Sequence, residues 1–272
     1  MVQEVRDLGP DSVAESGAKS SANSGTVQKP LKSAAMPRPS VSDRLIHAAR
    51  KAADLRAAAL ADPELARAVA LVKAWQAYRL SHTHADLLQS PRYRAAARFF
   101  VDDLYGSGSL AQRDAELARV IPTLTRFLPD GALTTICEAI ELDALSESLD
   151  HRVARQLMAA PPDPHKFDRA AYAQAYRQAG GFDERNEQIT AAERIGASLD
   201  KLVRKPLLGG LLNTMRGPAR AAGLISIHEF LVRGFTAFKS MSGAREFLQL
   251  TLGRERAIAQ ALEVGDSSQL PI

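Results

Sequence analysis

Six histidines, one cysteine and a few charged residues set among apolar ones are the groups in this 272-residue chain that could do chemistry. A carboxylate-bridged di-iron bundle needs Glu-x-x-His on facing helices, and none of the histidines has a glutamate three residues before it. His82 and His84 are spaced like metal ligands, yet on a helix they point about 160° apart. A hydrogen-bonded His82–Asp86 pair is expected instead. His151 faces away from the stripe of Leu145, Leu149 and Val153 and reads as exposed. His228 flanks a buried face beside Phe235, where a haem ligand is the alternative to a core histidine. Cys137 lies on an apolar face and reads as an inert buried thiol. The chain has no phosphate-cradling glycine loop, no nucleophile elbow and no cysteine pair for zinc. No metal and no cofactor is expected, and no residue is given a catalytic role.

Sharper signals come from charges that fall on apolar stripes. Glu255 lies within about 20° of the line joining Leu248, Leu252, Ala259 and Leu262. Arg113 falls on the stripe of Leu117, Val120 and Leu124, Arg79 and Asp86 extend the Trp75 face, and Asp103 borders the stripe of Tyr93, Ala96, Phe100 and Leu104. An unpaired buried charge costs several kcal/mol, so each of these five residues needs a partner or water. Arg113 is expected to pair with Asp103 or Asp102, and Glu255 with Arg216, Arg220 or Arg79. A second candidate is the basic run Lys201, Arg204, Lys205, Arg216 and Arg220, which no acid interrupts. It complements helix C-termini, or with LLGGLL contacts an anionic surface.

The elements that must position these groups are helical. Ala and Leu dominate, β-branched runs are scarce, and apolar residues recur at helical spacing. The expected fold is all-α, an array of about nine helices without β-sheet. Residues 1–40 read as a disordered tail, 41–264 as a single α-helical domain with a possible seam at the prolines of 161–164, and 265–272 as a frayed end. Ser40 with Asp43, and Asp62-Pro63-Glu64, are helix starts. Leu133, Ile136, Cys137 and Ile140 share one face, whereas Leu145, Leu149, Val153 and Leu157 share the opposite one, so a break is expected near Asp143–Ser146. Gly234 sits at the centre of the stripe of Ile227, Phe230, Leu231 and Phe238, where it would let another helix approach closely.

The stretch Phe99-Phe100-Val101-Asp102-Asp103-Leu104-Tyr105, with Trp75–Leu80, Pro91-Arg92-Tyr93, Arg113-Asp114, Arg216–Ala219, Gly234-Phe235 and Arg254-Glu255, resembles a bacterial family named after its FFLEELY motif. Here Val replaces the motif's Leu at 101, and Asp replaces Glu at 102 and 103. The resemblance spans roughly residues 45–262. It implies a helical domain of unknown function and supplies no catalytic residue.

A formal charge of +4 on this length gives no ground for nucleic-acid binding. A run of about eighteen apolar residues, as a membrane span needs, does not occur, and the single cysteine suits a reducing compartment, so the cytoplasm is the expected location. The expected function is a non-enzymatic module that works by contact with a protein partner. The alternative is a small-molecule or cofactor-binding domain whose pocket lies between segments 63–105 and 206–262 and is lined by Arg79, Asp86 and Glu255.

Overall fold

Ser40 opens the first helix, α1 (Val41–Leu60), by a reciprocal cap: its hydroxyl accepts from the Asp43 amide at 3.1 Å, and the Asp43 carboxylate accepts from the Ser40 amide at 3.3 Å. The computed structural model describes residues 40–104, 116, 119–122, 125–126, 128–159 and 167–271. The tail 1–39, Arg113 and the prolines of 161–164 lie outside these residues. Asp62 starts α2 (Pro63–Thr83) by accepting from the amides of Glu64 and Leu65, with Pro63 at the first helical position. Two short helices follow, α3 (Ala85–Gln89) and α4 (Arg94–Arg98), and α4 runs directly into a π-helical turn over Phe99–Leu104. Then come α5 (Asp130–Ala159), α6 (Arg169–Ala179), α7 (Phe182–Leu202), α8 (Pro206–Thr214), α9 (Arg216–Ala221), α10 (Ile225–Ser240) and α11 (Arg245–Glu263). The fold is all-α, with no strand among the described residues. No helix among them is long and apolar enough to cross a membrane.

The expected break in the middle of 130–159 does not occur: α5 is one helix of 30 residues. Both of its apolar faces are covered, so no break is needed. Leu133 and Cys137 pack with Leu45 of α1 and Ile121. More than four turns further along, Val153, Ala154 and Leu157 pack with Leu65, Val69 and Val72 of α2, Tyr172 and Tyr176 of α6, and Ile258 and Leu262 of α11. This second cluster joins residues on both sides of the proline run. Leu270 also enters it at 3% exposure, so the end expected to fray is seated on the core by an apolar anchor. A separate cluster gathers Leu87, Tyr93, Ala96, Phe238, Met241, Phe247 and Leu248 from α3, α4, α10 and α11.

The π turn changes which side of its segment is buried. A wheel of constant pitch sets Phe99 off the edge of the buried stripe and Phe100 on it, yet Phe99 is buried and Phe100 half-buried. A π turn closes i to i+5 and so shifts the phase of everything after it. The Phe99 ring lies against Gly234 of α10, where an added Cβ would come within 2.8 Å of its Cζ.

That approach defines a test. Gly234→Ala gains about 1 kcal/mol in helix propensity, yet it should lower stability by a net ~1–3 kcal/mol, because a buried ring must shift to admit the methyl group. In a Phe99→Leu background the same substitution should cost far less. Thermal unfolding of the four proteins of this double-mutant cycle measures the coupling, and equal costs in both backgrounds would refute the contact.

Candidate functional site

The thirty residues of α5 carry acids where they also carry core. Glu147, Asp150 and His151 are all buried, each brought inside because α1, α2, α6 and α7 enclose this helix. Arg56 of α1 donates its Nε to Glu147 at 3.0 Å and reaches Asp143 with its Nη2, while Lys73 of α2 donates its Nζ to Glu147. Among the described residues Glu147 Oε2 has no hydrogen-bond partner, and neither has His151 Nε2, which stands 3.8 Å from it. Burial pushes the His151 imidazole below its ordinary value.

One turn along, Gln76 of α2 donates to Asp150 Oδ1 at 2.8 Å and approaches the Tyr172 hydroxyl at 3.4 Å. Burial raises the Asp150 carboxyl to about 6, against the pull of Lys73 and the Gln76 hydrogen bond. Arg185 of α7 lays its guanidinium over the Tyr176 ring at 3.7 Å, and its Nε and Nη2 are buried without a hydrogen-bond partner among the described residues. Burial also raises the Tyr176 phenol to about 12.

At the far end of α2, Arg79 grips Glu255 of α11 with two parallel bonds, at 2.8 and 2.7 Å. His84 Nε2 meets the same carboxylate at 3.1 Å. Burial would raise Glu255, but Arg79 and His84 outweigh it and hold the carboxyl at about 2. Next to this pair Arg254 makes a second fork, onto Asp86, at 2.7 and 2.8 Å. That arginine holds the Asp86 carboxyl at about 2 as well. Arg79, Asp86 and Glu255 thus sit at one junction of α2, α3 and α11, each held by a fork.

Other expected pairings differ. Asp103 accepts from Arg233 of α10, Nη2 at 2.6 Å and Nε at 2.9 Å; Arg113 lies outside the described residues. Glu255 does not meet Arg216 or Arg220, which are exposed on α9. His82 does not pair with Asp86, because the helix ends between them at His84; its Nδ1 lies 2.9 Å from the Tyr78 carbonyl. His151 is buried rather than exposed, since α5 is enclosed on the side expected to face water. His228 is buried, and its Nε2 donates to the Leu212 carbonyl at 2.8 Å, tying α10 to α8. Cys137 is a buried thiol that burial and Glu141 raise to about 11.

The basic run lies on the surface. Lys201, Arg204, Lys205, Arg216 and Arg220 are all exposed, and Arg204 is paired with Asp200 at 2.7 Å. Between them stands α8, whose residues include four leucines and none that is buried. Leu207 is 85% exposed, more than any other large hydrophobic among the described residues. Two contiguous clefts open between α8 and α10, of about 300 and 550 Å3, sharing Pro206, Gly209, Phe235 and Lys239. Lys239 Nζ lies 5.8 Å from the centroid of the Phe235 ring.

Reading the sequence missed Glu147, Asp150, Gln76, Arg185 and His84 as interior groups. A signal existed for part of this set: Lys73, Gln76 and Arg79 recur every three residues on one helix, a polar line running beside the Val69–Val72 face. Nothing in the sequence marks Arg185, because its neighbours in α7 are charged and its cover comes from α6.

A family model described as a domain of unknown function (DUF8198) matches residues 55–269. No curated protein and no solved structure matches the chain.

The network gives two expectations of opposite sign. Glu255→Gln should cost about 2–4 kcal/mol at neutral pH, since it strips Arg79 of its counter-charge. Because the folded carboxyl is depressed, its contribution is full above the usual glutamate value and is lost as pH falls through about 2. The gap between the variant and the natural chain should therefore narrow in that window. Asp150→Asn should do the reverse. A raised folded carboxyl costs stability as pH climbs from the ordinary aspartate value through about 6. Asparagine keeps the acceptor for Gln76 without the charge, so the variant should gain roughly 2–3 kcal/mol above pH 6 and nothing below pH 4. Urea titrations across this pH range read both.

Proposed function

This chain belongs to the DUF8198 family of domains of unknown function, and we propose that it works as a non-enzymatic module that acts by contact with a protein partner. The reading rests on where the charge and the apolar surface are. The forks Arg79–Glu255 and Arg254–Asp86 bind charges to one another. The alternative, a pocket lined by Arg79, Asp86 and Glu255 between segments 63–105 and 206–262, would need those groups turned to a ligand. The two clefts beside α8 are instead lined from within residues 200–243. Meanwhile α8 holds four leucines, none fully buried and Leu207 wholly outside, an arrangement that costs solvation unless something covers it.

A cytoplasmic site of action belongs to the same reading, and the single free thiol Cys137 suits it. So does the kinship with FFLEELY-motif proteins, which rests on residues 99–105 and the shorter matches around it. In that light the Phe99 ring against Gly234 is a packing device that holds α10 to the π turn.

Gentle affinity purification of the full chain from the cell that makes it, followed by native mass spectrometry, tests the proposal. A complex with another protein at fixed stoichiometry is expected, with the chain itself at its bare mass. A small molecule of constant mass retained on the chain, and no protein partner, would overturn it.

A further inference from the structure

Most apolar helices of this size owe their place in a fold to what they bury. None of the nine residues of α8 is fully buried: Leu208, Leu211 and Leu212 are half-buried and Leu207 is exposed. It is held by the His228 bond to the Leu212 carbonyl, and at Gly209 it stands beside the Phe235 ring, which a Cβ there would meet at an ordinary contact distance of 3.4 Å. The next glycine is different: a Cβ at Gly210 would meet nothing within 4 Å. Gly209 thus faces the aromatic wall of α10, and Gly210 leaves a wall of the groove open.

The charge that lines this groove is mostly positive. From Lys201 to His228 the chain carries five Lys or Arg and no Asp or Glu. Lys205 and Lys239 line the clefts, with Phe235 between α8 and α10 as their common aromatic wall. The one acid in the lining, Asp200, is engaged: its Oδ1 accepts from the Ala244 amide at 3.0 Å and its Oδ2 from Arg204. A neutral apolar partner would leave these cations facing it without counter-charges.

We propose that the groove between α8 and α10 receives an acidic amphipathic helix of a partner protein. Its leucine or phenylalanine side chains would enter beside Gly210 and Phe235, and its carboxylates would face Lys205 and Lys239. This rests on the protein-contact reading above and names the partner's chemistry. Concavity favours a helix over a membrane, since a flat bilayer surface would cover Leu207 but leave the floor of the groove unfilled. An α-helix of nine residues is about 13 Å long, so the matching segment spans two to three turns. Recognition is then a helix laid in an apolar groove, read by anchors at i, i+3 or i+4 and i+7.

The test places a photo-crosslinking amino acid at Leu207, and separately at Tyr78 on α2, in the full chain in its own cell, and maps the captured peptides by mass spectrometry. Capture at 207 of one segment with net negative charge and apolar residues at helical spacing is expected. Its yield should fall about tenfold, the equivalent of ~1.4 kcal/mol, when Gly210→Trp fills the groove. Lys205→Glu with Lys239→Glu should give a similar loss, and reversing the charges on the captured segment should restore the yield. Unchanged thermal unfolding would show that each variant is folded, and the charge-reversal pair stands if the tryptophan disturbs the fold. Capture of a neutral or basic segment, or a yield that neither variant moves, would overturn the proposal. Phosphatidylglycerol vesicles provide the second arm: cosedimentation abolished by Leu207→Glu, with only lipid captured at 207, would assign the surface to a membrane instead. Partner capture at 78 with none at 207 would remove this groove and leave the protein-contact reading standing. No capture of protein at either position would remove both.

Discussion

A thirty-residue helix with two opposite apolar faces can be buried only if it is covered on both, and that requirement organises this molecule. α5 is enclosed by α1, α2, α6 and α7. Once it is enclosed, its acids are enclosed with it. Glu147 and Asp150 lie where water cannot reach freely, so the helices that cover them must bring donors: Arg56 from α1, Lys73 and Gln76 from α2. The hydrophobic covering and the polar pairing are thus one constraint seen from two sides. An apolar face draws the neighbour in, and the neighbour is tolerated only with its cation in register.

The same logic extends along α2 to the junction with α11. Arg79 lies two turns past Lys73 on one helix and meets Glu255, which sits on the apolar stripe of α11. His84 and the Arg254–Asp86 fork close the junction where α2 ends and α3 begins. The interior is therefore tuned in opposite directions over a short distance. Asp150 is pushed up by burial with one neutral donor, and Glu255 is held down by a bidentate arginine. Burial acts on both, and the number of positive donors decides the sign.

Against this interior, the α8 region inverts the usual arrangement. Leu207 stands at the surface and three further leucines are half-buried, exposed cations flank them, and of two adjacent glycines Gly209 touches the Phe235 ring while Gly210 faces open space. His228, read from the sequence as a core histidine or a ligand, is what anchors the carbonyl end of α8 to α10. The exposed leucine and cations of this region contrast with the interior, where most of the charges named above are paired with one another.

Much of this was legible in the residues alone, and for identifiable reasons. Helix starts at Ser40 and Asp62 follow from local hydrogen bonding, which depends on a few consecutive residues. Gly234 in the middle of an apolar stripe announces a close approach wherever the partner comes from. The position of Glu255 on a buried line follows from the helical repeat, and a buried carboxylate must be answered. None of these depends on knowing the neighbours. What the tertiary structure alone decided is which neighbours arrive: that Arg79 rather than Arg216 or Arg220 answers Glu255, that Arg233 answers Asp103, that α5 stays whole because it is covered twice, and that His151 is inside. The phase of the Phe99 segment belongs here too, since the π turn, which packs against both α2 and α10, resets the wheel from which the sequence is read. Periodicity places a side chain on its own helix. Only the packing of one helix on another determines what stands across from it.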